Sequence, residues 1–471
     1  MESNLILNKS EIPEKDIDTI KLALTLKNPA YEYQRYTLGI SSKYINIPRN
    51  FYLYEETPET LIVPRAVFDD EEITSKLLKK HKITTLPTIL TDTPKWNSSK
   101  TLKSFQKYPA KMILENKADI ITAKCGSGKT VIGVNIATHI KPPICIVVHQ
   151  KFLADQWLEE FKTFSTFKNI VLHENQKVKK SLEADVVIAT VQSLIRLENE
   201  IFFDNFNIVI FDEVHVMGAM TFCKVISKFK CRRIGVTATP DRTDGFKAYQ
   251  WNIGGRLVAA TNEDTLQINI IGYNTGYARF INEGLCVVKD SINIPKILNA
   301  QYAIEQRFQD TCTLITELLE LGRHVIVLSH RREYAIRLYT DICFEDKELL
   351  LGKVKIGKEH KQFVSATFQL LRAAFNRPRL DTLIHTGAFT AENDVEQTIG
   401  RLTRPVAGKP PAIVIDMYET TYNQDGRPGY LSYAFNKRME TYNKLNCRIL
   451  NTNANLQETI KTVRTIQGGN E

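Results

Sequence analysis

The segment Ala123-Lys124-Cys125-Gly126-Ser127-Gly128-Lys129-Thr130 follows an apolar run, Ile120-Ile121-Thr122, and precedes a helical pattern, Val131-Ile132-Gly133-Val134-Asn135-Ile136-Ala137. This order reads as a strand, a small-residue loop and a helix. Small residues let backbone N–H groups close around phosphate oxygens, and the helix N-terminus adds free donors and a favourable dipole. Lys129 can reach the β- and γ-phosphates of a nucleotide, and the Thr130 hydroxyl can hold Mg²⁺. Ala123 stands where such a loop usually has its first glycine. A second group lies eighty-three residues after Lys129, in Ile208-Val209-Ile210-Phe211-Asp212-Glu213-Val214-His215. Here an apolar strand delivers two carboxylates at its C-terminal end, where ligands bind in open α/β sheets. Asp212 suits a Mg²⁺ ligand, directly or through water. Glu213 suits a base that orients and deprotonates an attacking water.

Two further segments complete the chemistry. Gly235-Val236-Thr237-Ala238-Thr239-Pro240 carries small hydroxyl residues suited to a packed joint beside a nucleotide. Asp394-Val395-Glu396-Gln397-Thr398-Ile399-Gly400-Arg401-Leu402-Thr403-Arg404 places Gln397, Arg401 and Arg404 on roughly one helix face. Two arginines facing a γ-phosphate would stabilise the charge that develops in phosphoryl transfer.

The elements around these residues alternate. Runs at 118–123, 144–149, 185–190, 207–212 and 233–237 read as buried strands with helices between them. A second set begins with a helix over 298–321 that ends at Gly322, then strands at 324–328, 363–367, 381–385 and 412–416. Such alternation predicts parallel sheets covered by helices. The predicted organisation is an accessory domain for DNA recognition at 1–95, a nucleotide-binding α/β domain at 96–258, a connection at 259–295, and a second α/β domain with a C-terminal extension at 296–471. The accessory region leans to β structure, with strands at 45–48, 51–54 and 61–65, and 91–99 reads as a linker.

Charge and cysteine usage narrow the setting. The chain of 471 residues has net charge +9. Residues 1–95 hold 13 basic and 14 acidic side chains, 96–258 hold 23 and 15, and 259–471 hold 26 and 24. The basic excess coincides with the phosphate loop, as a polyanionic partner would require. Eight cysteines (125, 145, 223, 231, 286, 312, 343 and 447) form no C-x-x-C pair. That predicts neither zinc nor a disulfide framework, and a reducing cytoplasm. No apolar run nears the ~20 residues of a membrane span, and the N-terminus does not read as a signal peptide.

In this order the four segments resemble those of superfamily 2 helicases and translocases of the DExH type, over about residues 100–420. Other family positions are present. Leu102-Lys103-Ser104-Phe105-Gln106 resembles the segment upstream of the phosphate loop, in which the glutamine reads adenine. Val147 through Trp157, including Gln156, and Ala189-Thr190-Val191-Gln192-Ser193 resemble segments that contact the nucleic-acid backbone. Thr237-Ala238-Thr239-Pro240-Asp241-Arg242-Thr243-Asp244-Gly245 is similar to the form seen in the branch of XPB, UvsW and the type I and III restriction translocases. Arg438-Met439-Glu440-Thr441-Tyr442 resembles the R-x-x-x-Y segment that follows the last motif there. The whole layout is most similar to phage branch-migration helicases (T5-like and UvsW-like); viral transcript-release helicases share it.

The resemblance implies two RecA-like domains with ATP and Mg²⁺ between them. Lys129, Asp212, Glu213, Arg401 and Arg404 would be catalytic. Gln106 and 123–130 would bind nucleotide, Thr130 and Asp212 would bind the metal, and His215, Thr237, Thr239 and Gln397 would couple the parts. Gln156, Thr190, Gln192, Ser193, Arg242 and Thr367 would contact nucleic acid. The implied activity is ATP-dependent DNA unwinding or branch migration, 3′ to 5′, on forks and Holliday junctions in replication, recombination or repair. The partners would be branched or single-stranded DNA and other replication or recombination proteins, with no membrane, in a host cytoplasm if phage-encoded. The alternative is transcript release. Two departures stand out. Ala366-Thr367-Phe368-Gln369 is followed by Ala374-Phe375-Asn376 where a Gly-x-Asp turn is usual, and the lysine-rich 351–361 is short for its place.

Overall fold

The computed structural model describes residues 4–37, 39, 41–64, 66, 89–123, 127–173, 178–215, 225–238, 248–260, 267–288, 291–351, 361–368, 377, 379–390, 395, 398–400, 402, 406, 408–422 and 426–468. They form two units, Met1–Asn262 and Glu263–Glu471.

The first unit begins with short strands β1 (Asn4–Asn8), β2 (Thr25–Lys27), β3 (Asn50–Tyr52), β4 (Glu55–Glu56) and β5 (Thr60–Pro64). β1, β5 and β4 form a small antiparallel sheet, and β2 pairs with β3. The helix Glu14–Ala23 buries Ile17 and Ile20 against Leu24, Leu61 and Val63. The strand predicted at 45–48 does not form; that segment is irregular and follows a 3-10 turn at Ser42–Tyr44. Segment 91–99, predicted as a linker, is tied along its length to the neighbouring helices. Thr91 and Lys95 donate to the carbonyls of His139 and Thr138, Asn97 donates to that of Phe164, and Trp96 stacks on Phe164.

Then come β6 (Ile120–Ala123), β7 (Ile144–Val148), β8 (Ile170–His173), β9 (Val186–Thr190), β10 (Ile208–Asp212), β11 (Arg232–Thr237) and β12 (Leu257–Ala260). They make one sheet in the order β12-β6-β11-β10-β7-β9-β8, parallel throughout. β7 and β10 are buried at every residue, as strands covered on both faces must be. The five predicted strands are present; β8 and β12 at the edges were not foreseen.

The second unit repeats this architecture. Its strands are β13 (Ile268–Asn274), the small hairpin β14 (Val287–Val288) and β15 (Ser291–Ile292), β16 (Val325–Ser329), β17 (Lys347–Leu350), β18 (Phe363–Thr367), β19 (Thr382–His385), β20 (Ala412–Tyr418) and β21 (Arg448–Ala454). Seven of them form a second all-parallel sheet, β17-β18-β16-β19-β20-β13-β21. β13 lies inside this sheet although its residues fall in the stretch read as a connection. Gly272 makes its place possible, because a Cβ there would come 2.7 Å from the Phe435 ring and 2.8 Å from the Thr452 carbonyl. The single helix predicted over 298–321 is two, Ile294–Tyr302 and Glu305–Glu320.

Buried charge holds this unit together. Arg438, on the helix Tyr430–Lys444, donates from Nε and Nη2 to both oxygens of Asp416 on β20 at 2.8 Å, and from Nη1 to the Phe389 carbonyl. Tyr442, one turn on, donates to the same Asp416 at 3.0 Å. Arg307 reaches Glu419 at 2.6 Å, and Arg323 reaches Asp381 at 2.8 Å. Arg438→Ala should therefore destabilise this unit by ~3–5 kcal/mol, because Asp416 is left charged and buried, whereas Tyr442→Phe should cost about 1.5–3 kcal/mol. Urea unfolding of the two variants checks the ranking.

Candidate nucleotide site

The sheet order of the first unit decides which side chains meet. β6, β11, β10, β7 and β9 are successive neighbours, and the register sets Asp212 beside Val236 and Thr237 beside Thr122. Lys129, Thr237, Asp212, His149 and Thr190 thus stand in a row along one sheet edge, at or just beyond the strands' C-terminal ends. The chain folds this way locally because the middles of these strands are apolar, while small or polar residues, Asp212, Thr237 and Thr190 among them, come at or near their C-terminal ends.

Gly128 caps the helix Lys129–Thr138 with φ +81°, a backbone that L side chains rarely adopt. A Cβ there would also lie 2.5 Å from Gln106 Nε2. Gln106 is buried and uses both ends of its amide, donating to the Ser127 carbonyl at 2.8 Å and accepting from the Lys103 N–H at 3.0 Å. It is a strut under the loop. Ala123 ends β6, and Thr130 is half-buried one residue into the helix. Lys124, Cys125 and Gly126 lie outside the described residues.

The Lys129 ammonium stands 3.1 Å from Glu213 Oε1, and both side chains are largely out of water. Glu213 has φ +46°, an unusual backbone for a glutamate. Its N–H donates to Asp212 Oδ1 at 2.9 Å, and the next N–H, of Val214, donates to the Val236 carbonyl at 3.0 Å. His215 Nδ1 shares a 2.7 Å hydrogen bond with the Thr237 hydroxyl and lies 3.5 Å from Glu213 Oε2. Among the described residues that Oε2 is buried without a hydrogen-bond partner, so it has capacity to receive one from a water. Burial opposes the charge on Glu213, but Lys129 and His215 outweigh it and hold this carboxyl below its ordinary range. Burial and the adjacent Glu213 charge push Asp212 the other way, up to about 6.

Residues not singled out from the sequence complete the site. Trp157, fully buried on the helix Lys151–Phe164, donates its indole N–H to Asp212 Oδ2 at 2.8 Å. Its ring lies against Gly133 of the helix that follows the phosphate loop, where any Cβ would overlap it. A glycine within a helical run was the available signal, since it marks close packing. His149 is a further neighbour, with its pKa lowered by burial against the pull of Glu213. Gln192 donates to the His149 carbonyl at 2.8 Å.

The other predicted positions scatter. Thr190 and Ser193 cap the short helix Val191–Ile195 together, Gln192 is exposed, and Gln156 is half-buried. Thr367 is buried at the end of β18 in the second unit. Thr239, Arg242, Asn376, Gln397, Arg401 and Arg404 lie outside the described residues, as does most of 351–361.

Known proteins resemble this chain in sequence and fold. The profile of the type III restriction enzyme res subunit matches residues 91–242. A mimivirus protein named "putative ATP-dependent RNA helicase L396" (Acanthamoeba polyphaga mimivirus) is 26% identical over 88% of this chain and 80% of its own. The XPB helicase/translocase subunit of general transcription and DNA repair factor IIH from Enterocytozoon bieneusi is 29% identical over 35% of this chain and 31% of its own. The solved structure of S. cerevisiae Dbp5 bound to RNA and ADP-BeF3 covers 77% of this chain with 93% of its own, at 15% identity and TM-score 0.53, a likeness of fold. The two parallel-sheet units are RecA-like domains. The chain is a relative of the superfamily 2 helicases, on the side of that group to which XPB belongs.

The donor set fits Mg²⁺. Thr130 and Asp212 would hold it with phosphate oxygens and water, the oxygen-rich shell this ion takes, and it would neutralise phosphate charge when bound. Among the described residues no group of three or more His, Cys, Asp or Glu could hold a metal unaided. With Asp212 near 6, it is ionised at neutral pH and protonated below. Cation-dependent nucleotide binding should thus persist above pH 6 and fall as pH drops through it, measured with a fluorescent nucleotide at fixed Mg²⁺. Trp157→Phe removes the N–H from Asp212 and leaves a smaller ring in a fully buried place. It should raise the Mg²⁺ concentration for half-maximal nucleotide binding roughly tenfold, the worth of a hydrogen bond to a charged group, and lower the thermal unfolding temperature as well.

Proposed function

We propose that the chain is an ATP-driven DNA helicase or translocase that unwinds or branch-migrates forked and Holliday-junction DNA, moving 3′ to 5′. The observation that carries the ATPase reading is the pairing of Lys129 with Glu213 beside Asp212, with one Glu213 oxygen left to orient a water. Phosphate arriving at the loop offers Lys129 a second anion. Glu213 is then released to act as a base on the attacking water. Arg401 and Arg404 supply positive charge to the transition state in this reading, and Gln397, Thr237 and His215 couple hydrolysis to movement. Gln156, Thr190, Gln192, Ser193, Arg242 and Thr367 grip the strand. The +8 balance of residues 96–258 supports a polyanionic track.

A second reading, transcript release on RNA, is favoured by one observation. A relative matching most of the chain carries the name of an RNA helicase. Side-by-side assays of forked DNA, a Holliday junction and a stalled transcription complex separate the two. The DNA reading is lost if only the transcript is released.

Lys129→Ala should abolish ATP hydrolysis while nucleic-acid binding survives. Glu213→Gln should bind nucleotide yet hydrolyse it ~10²–10⁴-fold more slowly; loss of binding instead would make Glu213 structural. Alanine at Arg401 or Arg404 should lower DNA-stimulated turnover by up to ~10³-fold with ATP binding less affected, measured as steady-state ATPase activity with and without forked DNA.

A further inference from the structure

Tyrosine is unevenly spread along the chain. Six of the eighteen lie between residues 27 and 54: Tyr31, Tyr33, Tyr36, Tyr44, Tyr52 and Tyr54. The same stretch carries Lys27, Arg35, Lys43 and Arg49 against a single acid, Glu32. Its surroundings, residues 1–95, are close to neutral, so the positive charge is local.

The fold closes this stretch into a lobe at its two ends. β2 and β3 pair antiparallel with Lys27 opposite Asn50. Asn28 closes the neck, donating from its backbone to the Arg49 carbonyl at 3.0 Å and from its side chain to the Pro48 carbonyl at 2.7 Å. Between those ends Tyr31 and Ile45 turn inward, each 8% exposed, while Tyr36 and Tyr44 are 65% and 70% exposed. Tyr52 on β3 is 58% exposed. Two of these outward rings, Tyr36 and Tyr44, have a cation next to them in sequence and in space. The Arg35 guanidinium is 6.0 Å from the Tyr36 ring centre, and the Lys43 ammonium is 4.9 Å from that of Tyr44. The nearby Glu56 is already neutralised by Lys9 at 2.7 Å and Lys21 at 2.8 Å.

Rings left in water forgo their hydrophobic burial. Alternating ring faces and cations match one polymer in particular, a single nucleic-acid strand, which alternates base faces and phosphates. Stacking of bases on aromatic side chains tolerates any sequence, because every base has a π-face. A duplex hides those faces and offers only its phosphates.

We propose that residues 27–54 form a surface for single-stranded nucleic acid, with Tyr36 and Tyr44 stacking on bases and Arg35 and Lys43 pairing with phosphates. It rests on the nucleic-acid reading above and adds a grip separate from the segments at 156–193, 242 and 367. The test is fluorescence anisotropy of the full chain without nucleotide, using labelled oligo(dT) and oligo(U) across a salt series. The double variant Tyr36→Ala/Tyr44→Ala should bind at least roughly tenfold more weakly with the salt slope kept. Tyr36→Phe/Tyr44→Phe keeps both rings and should bind normally. Arg35→Ala/Lys43→Ala should flatten the slope by about 1.4, at ~0.7 per lost phosphate contact. The more tightly bound of the two oligonucleotides identifies the sugar that this surface meets. If the alanine pair binds both oligonucleotides like the unaltered chain, the surface is not a nucleic-acid grip. If the unaltered chain binds neither, the nucleic-acid reading itself falls.

Discussion

Lys129 and Glu213 are each other's counter-charge in a place nearly closed to water, and much of the first unit serves that one contact. A buried cation or carboxylate alone would be strongly unfavourable, and removing either partner leaves the other uncompensated. Their meeting requires β6 and β10 to end at the same level with β11 between them, which only the parallel order of this sheet supplies. It also holds Glu213 in a left-handed backbone conformation, fixed by the N–H bonds of Glu213 and Val214. Strain of that kind persists where neighbours over-determine it. Here the neighbours are Asp212 and β11.

The second unit meets the same constraint with arginine. Arg307, Arg323 and Arg438 are all buried, and each is matched to a carboxylate: Glu419, Asp381 and Asp416. Asp416 and Glu419 lie on and just after β20, between β19 and β13, so these pairs fasten the flanking helices to the middle of the sheet. Arginine suits this role because its planar fork donates several hydrogen bonds from one charge.

The legible parts of this molecule were those whose signal is local. Strands buried on both faces announce themselves as apolar runs, and β6, β7, β9, β10, β11, β16, β18, β19 and β20 were all visible as such. β17 and β21 were hidden because they sit at sheet edges, where polar residues such as Lys347, Glu348, Asn451 and Asn453 are tolerated and break the pattern, whereas β8 and β12, also at edges, are mostly apolar runs of only four residues. β13 was hidden by Asn269, Gly272 and Asn274, whose roles come from strands far along the chain. The break after Tyr302 carries no proline or glycine, so the apolar spacing ran through it. In the nucleotide site, Lys129, Asp212 and Glu213 were read from motif and spacing. Trp157 could not be placed in the same way, because its partner is 55 residues away and a hydrogen bond across that distance leaves no periodic trace. Arg438 and Tyr442 were visible as a spaced pair, but not as ligands of a shared aspartate.

The Trp157–Asp212 hydrogen bond makes the site optically addressable. The chain has three tryptophans, Trp96, Trp157 and Trp251. Trp96 is stacked on Phe164 away from the carboxylate pair, whereas the Trp157 indole ends on one of its members. Indole emission responds to the charge and hydrogen bonding at its N–H. With Trp96 and Trp251 replaced by phenylalanine, the remaining ring is a native fluorophore seated between the phosphate-loop helix and the acidic pair. It converts a change of charge at Asp212 into a change of colour without any attached dye.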